Sequence, residues 1–388
     1  MMRIGLVSTS YPDQADGAEA AGAFVADFAA ALADRAEVHV IAPGRVAHTQ
    51  SDEHLLVHRF ACRKLPLSLL NPVNPAHWPA IVMTLQGGWR ALEQVQLRSP
   101  LDHVFALWAL PSGAWAQRLK RGYGVPYSTW ALGSDIWTLG RLPVIRSYLG
   151  HVMRGATARF ADGEQLRLDV ERIGKRPCEF LPSTRKLPVS RSRNAATSPP
   201  YRLAFLGRWH PNKGIDLLLD ALQLLAQQDW QRIESIKIFG GGPLGALVRK
   251  CVASLQAKGY PVIVGGYLDR QEASSLLEWC DYLLLPSRIE SVPVIYSDAL
   301  QAGRPIVAMP VGDLPSLITS QRTGILAGGR GAEHFATAIR QALGDSPIGF
   351  LEALSTATAF FDLGNSVERF LAAVTPTPTS PAASPKPR

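Results

Sequence analysis

The chain has 388 residues, 47% of them hydrophobic and 19% charged, with a net charge of +8. That length implies two or three domains, and the balance is that of a folded α/β protein rather than a disordered or fibrous one. No nucleic-acid-binding motif accompanies the positive charge, which argues against a nucleic-acid partner.

Arg3 to Ser8 reads as a first parallel strand, followed by a loop from Tyr11 to Gly22, a helix from Ala23 to Ala33 and a strand from Glu37 to Ala42. This is a β-α-β unit. The loop holds Gly17 and Gly22 but no GxGxxG, and no acid ends the second strand, so the unit does not read as a dinucleotide site. Gly22 serves either a close approach to a ligand or an ordinary turn. Next come Arg59, Arg63 and Lys64 beside the Leu65–Leu70 run and Trp78, then Arg141, Arg146, Arg154 and Arg159. This set suits an anionic membrane face, or equally solvated charge over a core-facing leucine run. The segment Pro126–Ile136 contains Asp135, which faces a ligand or caps a helix. Trp108, Trp130 and Trp137 near it form either a stacking surface for sugar or lipid, or core. Leu187 to Pro200, rich in Ser, Arg, Asn and Pro, reads as a linker.

In the second half an apolar run ends at Gly207; Arg208 and Lys213 follow, then leucines at helical spacing from Ile215. Phe239-Gly-Gly-Gly-Pro-Leu244, with Gly241 and Gly242, succeeds another apolar strand, and Gly265-Gly-Tyr-Leu268 succeeds Val262–Val264. A third buried strand leads into Glu290-Ser291-Val292-Pro293 and a helix carrying Asp298. Eight helical positions span about 12 Å, the separation between the hexose and ribose hydroxyls of a nucleotide sugar. Glu290 then reaches the hexose, Asp298 the ribose, and the N–H groups of Ser291 and Val292 the diphosphate, with Arg208 and Lys213 as opposing cations. Taken singly, each pair also reads as solvated surface charge. The stretch from Leu351 to Val374 is expected to be helical, and Thr375 to Arg388 disordered.

From Leu203 to Gly324 the Gly-Arg…Lys-Gly loop, the glycine turn with its Pro-Leu, the Gly-Tyr-Leu segment and Pro-Ser…Glu…Asp-Ala-Leu-Gln-Ala-Gly-Arg-Pro-Ile-Val follow one another in order. This set resembles the retaining glycosyltransferases of family 4. The resemblance implies a GT-B fold, α/β with two doubly wound Rossmann-like domains facing a central cleft. Residues 1–186 would bind acceptor and 201–350 the nucleotide sugar, with 187–200 as linker, 351–374 crossing back to the first domain and 375–388 as tail. By the same likeness Arg208, Lys213 and Glu290 are the catalytic set. Gly22, Gly207, Gly241, Gly242, Leu268, Ser291, Val292, Pro293 and Asp298 lie on the donor side. Asp135 and Trp108 are the acceptor-side candidates.

The chain departs from the family at three points. Asp298 is one methylene shorter than the usual glutamate, Leu132 replaces a histidine, and Phe180-Leu-Pro-Ser-Thr-Arg-Lys186 replaces an Asn-Gly-Val-Asp-like phrase. The implied activity is metal-independent, retaining transfer of a hexose to a saccharide or lipid-linked acceptor, in cell-envelope polysaccharide or glycolipid synthesis. A weak or inactive relative that binds donor or serves as an assembly partner is the alternative; the acid and histidine of a GT-B epimerase are not evident. No cofactor or metal is expected: there is no Asp-x-Asp between strands, and Cys62, Cys178, Cys251 and Cys280 lack ligand spacing. Without a signal peptide or a spanning apolar run, the expected location is cytoplasmic, with the inner membrane face as an option.

Overall fold

The structure, a computed structural model, describes residues 1–12, 19–62, 70, 73–189 and 195–375. Gly17, Arg63, Lys64, the leucine run to residue 69, the middle of the linker and the tail beyond Thr375 lie outside the described residues.

Two parallel sheets carry the fold. The first comprises β1 (Arg3–Val7), β2 (Glu37–Gly44), β3 (His48–Asp52), β4 (Leu55–Ala61), β5 (His103–Leu107), β6 (Tyr127–Ala131), β7 (Arg159–Ala161) and β8 (Glu179–Phe180), in the order β3-β4-β2-β1-β5-β6-β7-β8. Among the described residues only the exposed edge strand β3 runs antiparallel, as a hairpin with β4. The second comprises β9 (Tyr201–Arg208), β10 (Ile233–Gly241), β11 (Val262–Gly265), β12 (Tyr282–Leu285), β13 (Ile306–Ala308) and β14 (Gly324–Leu326), in the order β11-β10-β9-β12-β13-β14. Central strands such as Tyr282-Leu-Leu-Leu285 are buried along their whole length, the pattern required when helices cover both faces of a parallel sheet.

Strand order fixes where a ligand can enter. In the first sheet the chain turns to one side of β1 through β2 and to the other through β5. In the second it turns to one side of β9 through β10 and to the other through β12. At such reversals the crossover helices diverge, leaving a crevice at the carboxyl ends of the strands. The loops after β1, β5, β9 and β12 therefore define two crevices, and both open into one cleft between the lobes.

The stretch after Leu351 forms two helices, not one: Leu351–Phe360 and Leu363–Val374. Asp362 breaks the run by capping the second helix, accepting from Asn365 N at 2.9 Å. The first packs on the second lobe, with Leu354 and Ala357 in its core, while the second lies on the N-terminal sheet. There Phe370 is fully buried, with its ring centroid 4.1 Å from that of Phe105 and 6.0 Å from those of Phe28 and Phe160. Phe370→Ala should cost about 3–5 kcal/mol, since the site is walled by rigid rings and cannot collapse. Urea unfolding followed by the fluorescence of Trp130, which stacks on Phe105, measures this directly; an unchanged midpoint would show that the helix contributes nothing to the N-terminal lobe.

Candidate functional site

The cleft has a volume of about 2190 Å³ and is lined by Thr9, Ser10, Trp108 and Leu132 from one lobe and Gly207, Arg208, Lys213, Leu268 and Glu290 from the other. Arg208 is the last residue of β9, and Lys213 closes a short turn that His210 starts by accepting from Asn212 N at 3.2 Å. Lys213 Nζ donates to Glu290 Oε1, and Ser287 Oγ donates to the same oxygen at 2.9 Å. Two loops 77 residues apart are thus joined at the crevice of the second sheet. Arg208 is half-buried beside them and, among the described residues, has no carboxylate partner. Burial, with the charges of Arg208 and Lys213, holds the His210 imidazole below its ordinary pKa.

Several placements differ from the sequence reading. The helix after β12 begins at Val294 with Pro293 as its N-cap. Ser291 and Val292 therefore sit in the loop ahead of it, both buried, and their N–H groups are not part of its first turn. Asp298 faces a protein cation: Arg185 Nε lies 3.0 and 2.9 Å from its two carboxylate oxygens, and Arg185 Nη2 lies 2.7 Å from Oδ2. Burial raises the Asp298 pKa while Arg185 pulls it back. Arg185 belongs to the junction phrase that departs from the family pattern. The glycine turn is required by packing within the lobe. A Cβ on Gly242 (φ 146°) would lie 2.8 Å from the Trp209 carbonyl oxygen, and one on Gly241 would strike the Tyr267 ring. Gly22 likewise lets its helix abut Tyr11, whose Cα would be 2.7 Å from an added Cβ.

In the first lobe, Asp135 is buried at the cleft wall and its carboxylate is taken up by backbone N–H groups. Its Oδ2 accepts from Ala109 N at 2.7 Å, and its Oδ1 from Ile136 N at 3.2 Å and Leu132 N at 3.3 Å. Burial pushes its pKa up to about 6, opposed by those N–H donors. It is not the helix N-cap, a position held by Gly133. Its role here is to pin the loop after β5, where Trp108 takes a φ of 61°, a left-handed conformation costly for a bulky residue. Trp130 is core, donating to Leu181 O at 3.0 Å, and Trp137 Nε1 donates to Asp169 at 2.9 Å. Trp108 and Trp137 both keep half-buried rings at the cleft, that of Trp108 edge-on to Phe24.

Side chains absent from the sequence reading join the lobes. Asp162 is buried; its Oδ1 accepts from Ser291 Oγ at 2.5 Å and its Oδ2 from Ser183 Oγ at 3.3 Å. Asp313 of the second lobe caps the Glu164–Gly174 helix of the first, accepting from Glu164 N and from Gln165 N at 3.0 Å. The N-cap of that helix is Gly163, where an added Cβ would lie 2.6 Å from Asp313 Oδ2. Arg270 pairs with Asp27 at 2.8 and 2.9 Å.

Residues 200–345 match the model of the family described as glycosyl transferases group 1. Two curated relatives are D-inositol 3-phosphate glycosyltransferases. That of Jonesia denitrificans is 30% identical over 152 residues, 38% of this chain and 35% of its own length. That of Corynebacterium diphtheriae is 31% identical over 175 residues, 43% of this chain and 40% of its own. The likeness to that family thus covers the C-terminal lobe. Its likeness to family 4 therefore holds at the residues that suggested it. The whole fold is GT-B: sucrose-phosphate synthase from Thermosynechococcus elongatus superposes with a TM-score of 0.73 at 17% identity, covering 95% of this chain and 97% of its own. Anabaena HepE in complex with UDP and glucose gives 0.68 at 16% identity, covering 96% and 99%.

Burial pushes the Asp162 carboxyl up from 3.8 to about 8, opposed by the Ser291 hydroxyl. Between those values the folded state keeps a proton that the unfolded state has lost, so this group's contribution to stability falls as pH rises. Asp162→Asn should flatten that part of the urea-midpoint profile between pH 4 and 8. An unaltered slope would mean that Asp162 is ionised in the fold.

Proposed function

We propose that the chain is a retaining, metal-independent glycosyltransferase moving a hexose from a nucleoside-diphosphate sugar to a saccharide or lipid-linked acceptor. The carrying observation is the convergence of Arg208, Lys213 and Glu290 at the strand ends of the second sheet, facing the crevice of the first. The family match of the C-terminal lobe and the glycosyltransferase activity of its curated relatives support this reading, as does the UDP and glucose bound by a structural neighbour.

In this mechanism Arg208 and Lys213 grip the donor diphosphate. Lys213 has two further N–H donors beyond the one given to Glu290, enough to bridge acid and phosphate. As the glycosidic bond breaks, negative charge grows on the leaving phosphate and these fixed cations stabilise it. Glu290, oriented by Ser287 and Lys213, contacts the hexose. The acceptor hydroxyl attacks from the face the phosphate leaves, so configuration is retained, and the phosphate takes the proton. Water is excluded by the lobe contacts through Asp162, Asp313 and Arg270. No helix among the described residues is long and apolar enough to cross a membrane. We place the work at the cytoplasmic face of the membrane, in envelope polysaccharide or glycolipid synthesis.

Two observations favour a second reading, donor binding without turnover. Asp298 is already bound by Arg185, and Leu132 stands at the position of the usual histidine. Arg208→Ala distinguishes the two. Turnover in a nucleoside-diphosphate release assay over a donor panel should fall by about 10²–10³, the effect of removing one preorganised charge donor. Its half-buried, carboxylate-free position leaves the fold intact, which circular dichroism checks. Release that is absent in the wild type, with donor still bound, establishes the second reading; release unaltered in the variant removes the phosphate clamp.

A further inference from the structure

The cleft continues past the site above, between three helices of the first lobe: Trp78–Arg98, Ser112–Tyr123 and Pro143–Gly155. Four arginines, Arg90, Arg118, Arg121 and Arg141, line this arm. The acid on the same wall is Glu93, which accepts a hydrogen bond from Tyr123 Oη at 3.2 Å. Among the described residues none of the four has a carboxylate partner. Arg118 instead lies 4.0 Å over the Trp89 ring, and Arg121 meets His151 at 2.5 Å. Elsewhere the protein pairs its guanidinium groups readily, Arg185 with Asp298, Arg288 with Asp216 and Arg340 with Asp229. Four unmatched cations facing one hollow repel one another and favour an incoming anion.

The same walls are apolar and wet. Val144 is 82% exposed, Val82 49% and Tyr148 43%, and all three line the arm with Leu85. Trp78 and Met83 continue the apolar surface along the same helix. A neutral sugar would satisfy neither property. Guanidinium groups hold phosphate oxygens in pairs through their planar fork, and exposed aliphatic side chains gain by covering a hydrocarbon. We propose that this arm anchors the acceptor, and that the acceptor is an anionic amphiphile whose hydrocarbon chain ends in a phosphate or diphosphate. The assignment rests on reading the opposite lobe as the donor site, since a transferase must hold its acceptor across the cleft from its donor.

Farnesyl diphosphate serves as a probe of this chemistry, with farnesol and inorganic diphosphate as its separated halves. Binding to the full chain is followed by tryptophan fluorescence, because Trp89 and Trp115 line the arm. The probe should bind at least tenfold more tightly than either half. Arg118→Ala/Arg141→Ala should weaken it about tenfold while leaving nucleotide binding unaltered, and Val82→Ser/Val144→Ser should weaken it without affecting inorganic diphosphate. Arg208→Ala should do the opposite, weakening nucleotide and sparing the probe. All four side chains replaced in the arm are exposed, so the variants keep the fold. Farnesol binding as tightly as the probe would overturn the anionic part, and inorganic diphosphate doing so would overturn the lipid part in favour of a soluble phosphate-bearing acceptor. Loss of the probe in Arg208→Ala but not in the arm variants would place it in the donor site and overturn the proposal. Loss of nucleotide binding in the wild type would instead sink the donor reading while leaving the arm's result standing.

Discussion

Everything functional in this protein follows from a rule of parallel sheets: a strand that has neighbours reached from opposite directions leaves a gap at its carboxyl end. β1 and β9 are those strands, and the loops that leave their neighbours carry Trp108 and Glu290. The helices cannot close the gaps without giving up their packing on the sheets, so the crevices persist and face each other. Side chains of quite different chemistry are brought together because the backbone leaves them nowhere else to go.

The buried carboxylates show how neighbourhood assigns a role. Asp135 meets backbone N–H groups and fixes a strained loop; Asp298 meets a guanidinium and ties the junction to the second lobe; Asp162 meets hydroxyls, and burial raises its pKa. Each is a short acid almost wholly removed from water, yet only the second has a full counter-charge. An unpaired buried charge is costly, so the first is held by backbone dipoles and the third is pushed toward its protonated form. Glu290 differs in its partner, a lysine with further N–H donors to spare.

What was legible in the sequence was local. Apolar runs followed by glycine, cation and leucine-rich helix identified the two sheets and the loops bearing Arg208, Lys213 and Glu290, because each signal lies within about a dozen residues. Pairings across long separations were not. Nothing near Asp298 announces Arg185, 113 residues earlier, and nothing near Gly163 announces Asp313. Arg185 did leave a trace, as a cation in a phrase where the family has none, and so did Gly163, a helix N-cap without a side chain. Helix starts were misplaced where caps decide them: Pro293 delays one, and Asp362 splits another that composition alone reads as continuous. The glycines were recognised as close approaches, but the approaching group is the protein itself at Tyr11, Trp209 and Tyr267.

The double passage of the chain between lobes has a mechanical corollary. It runs across once near Phe180 and returns at Phe361–Asp362, and the rings of Phe180 and Phe360 stack at 5.7 Å, so both strands of covalent connection lie at one corner. The covalent chain thus holds the two lobes from one side, and any swing about that side must first break the pairs Asp162–Ser291, Asp313–Gln165 and Arg270–Asp27.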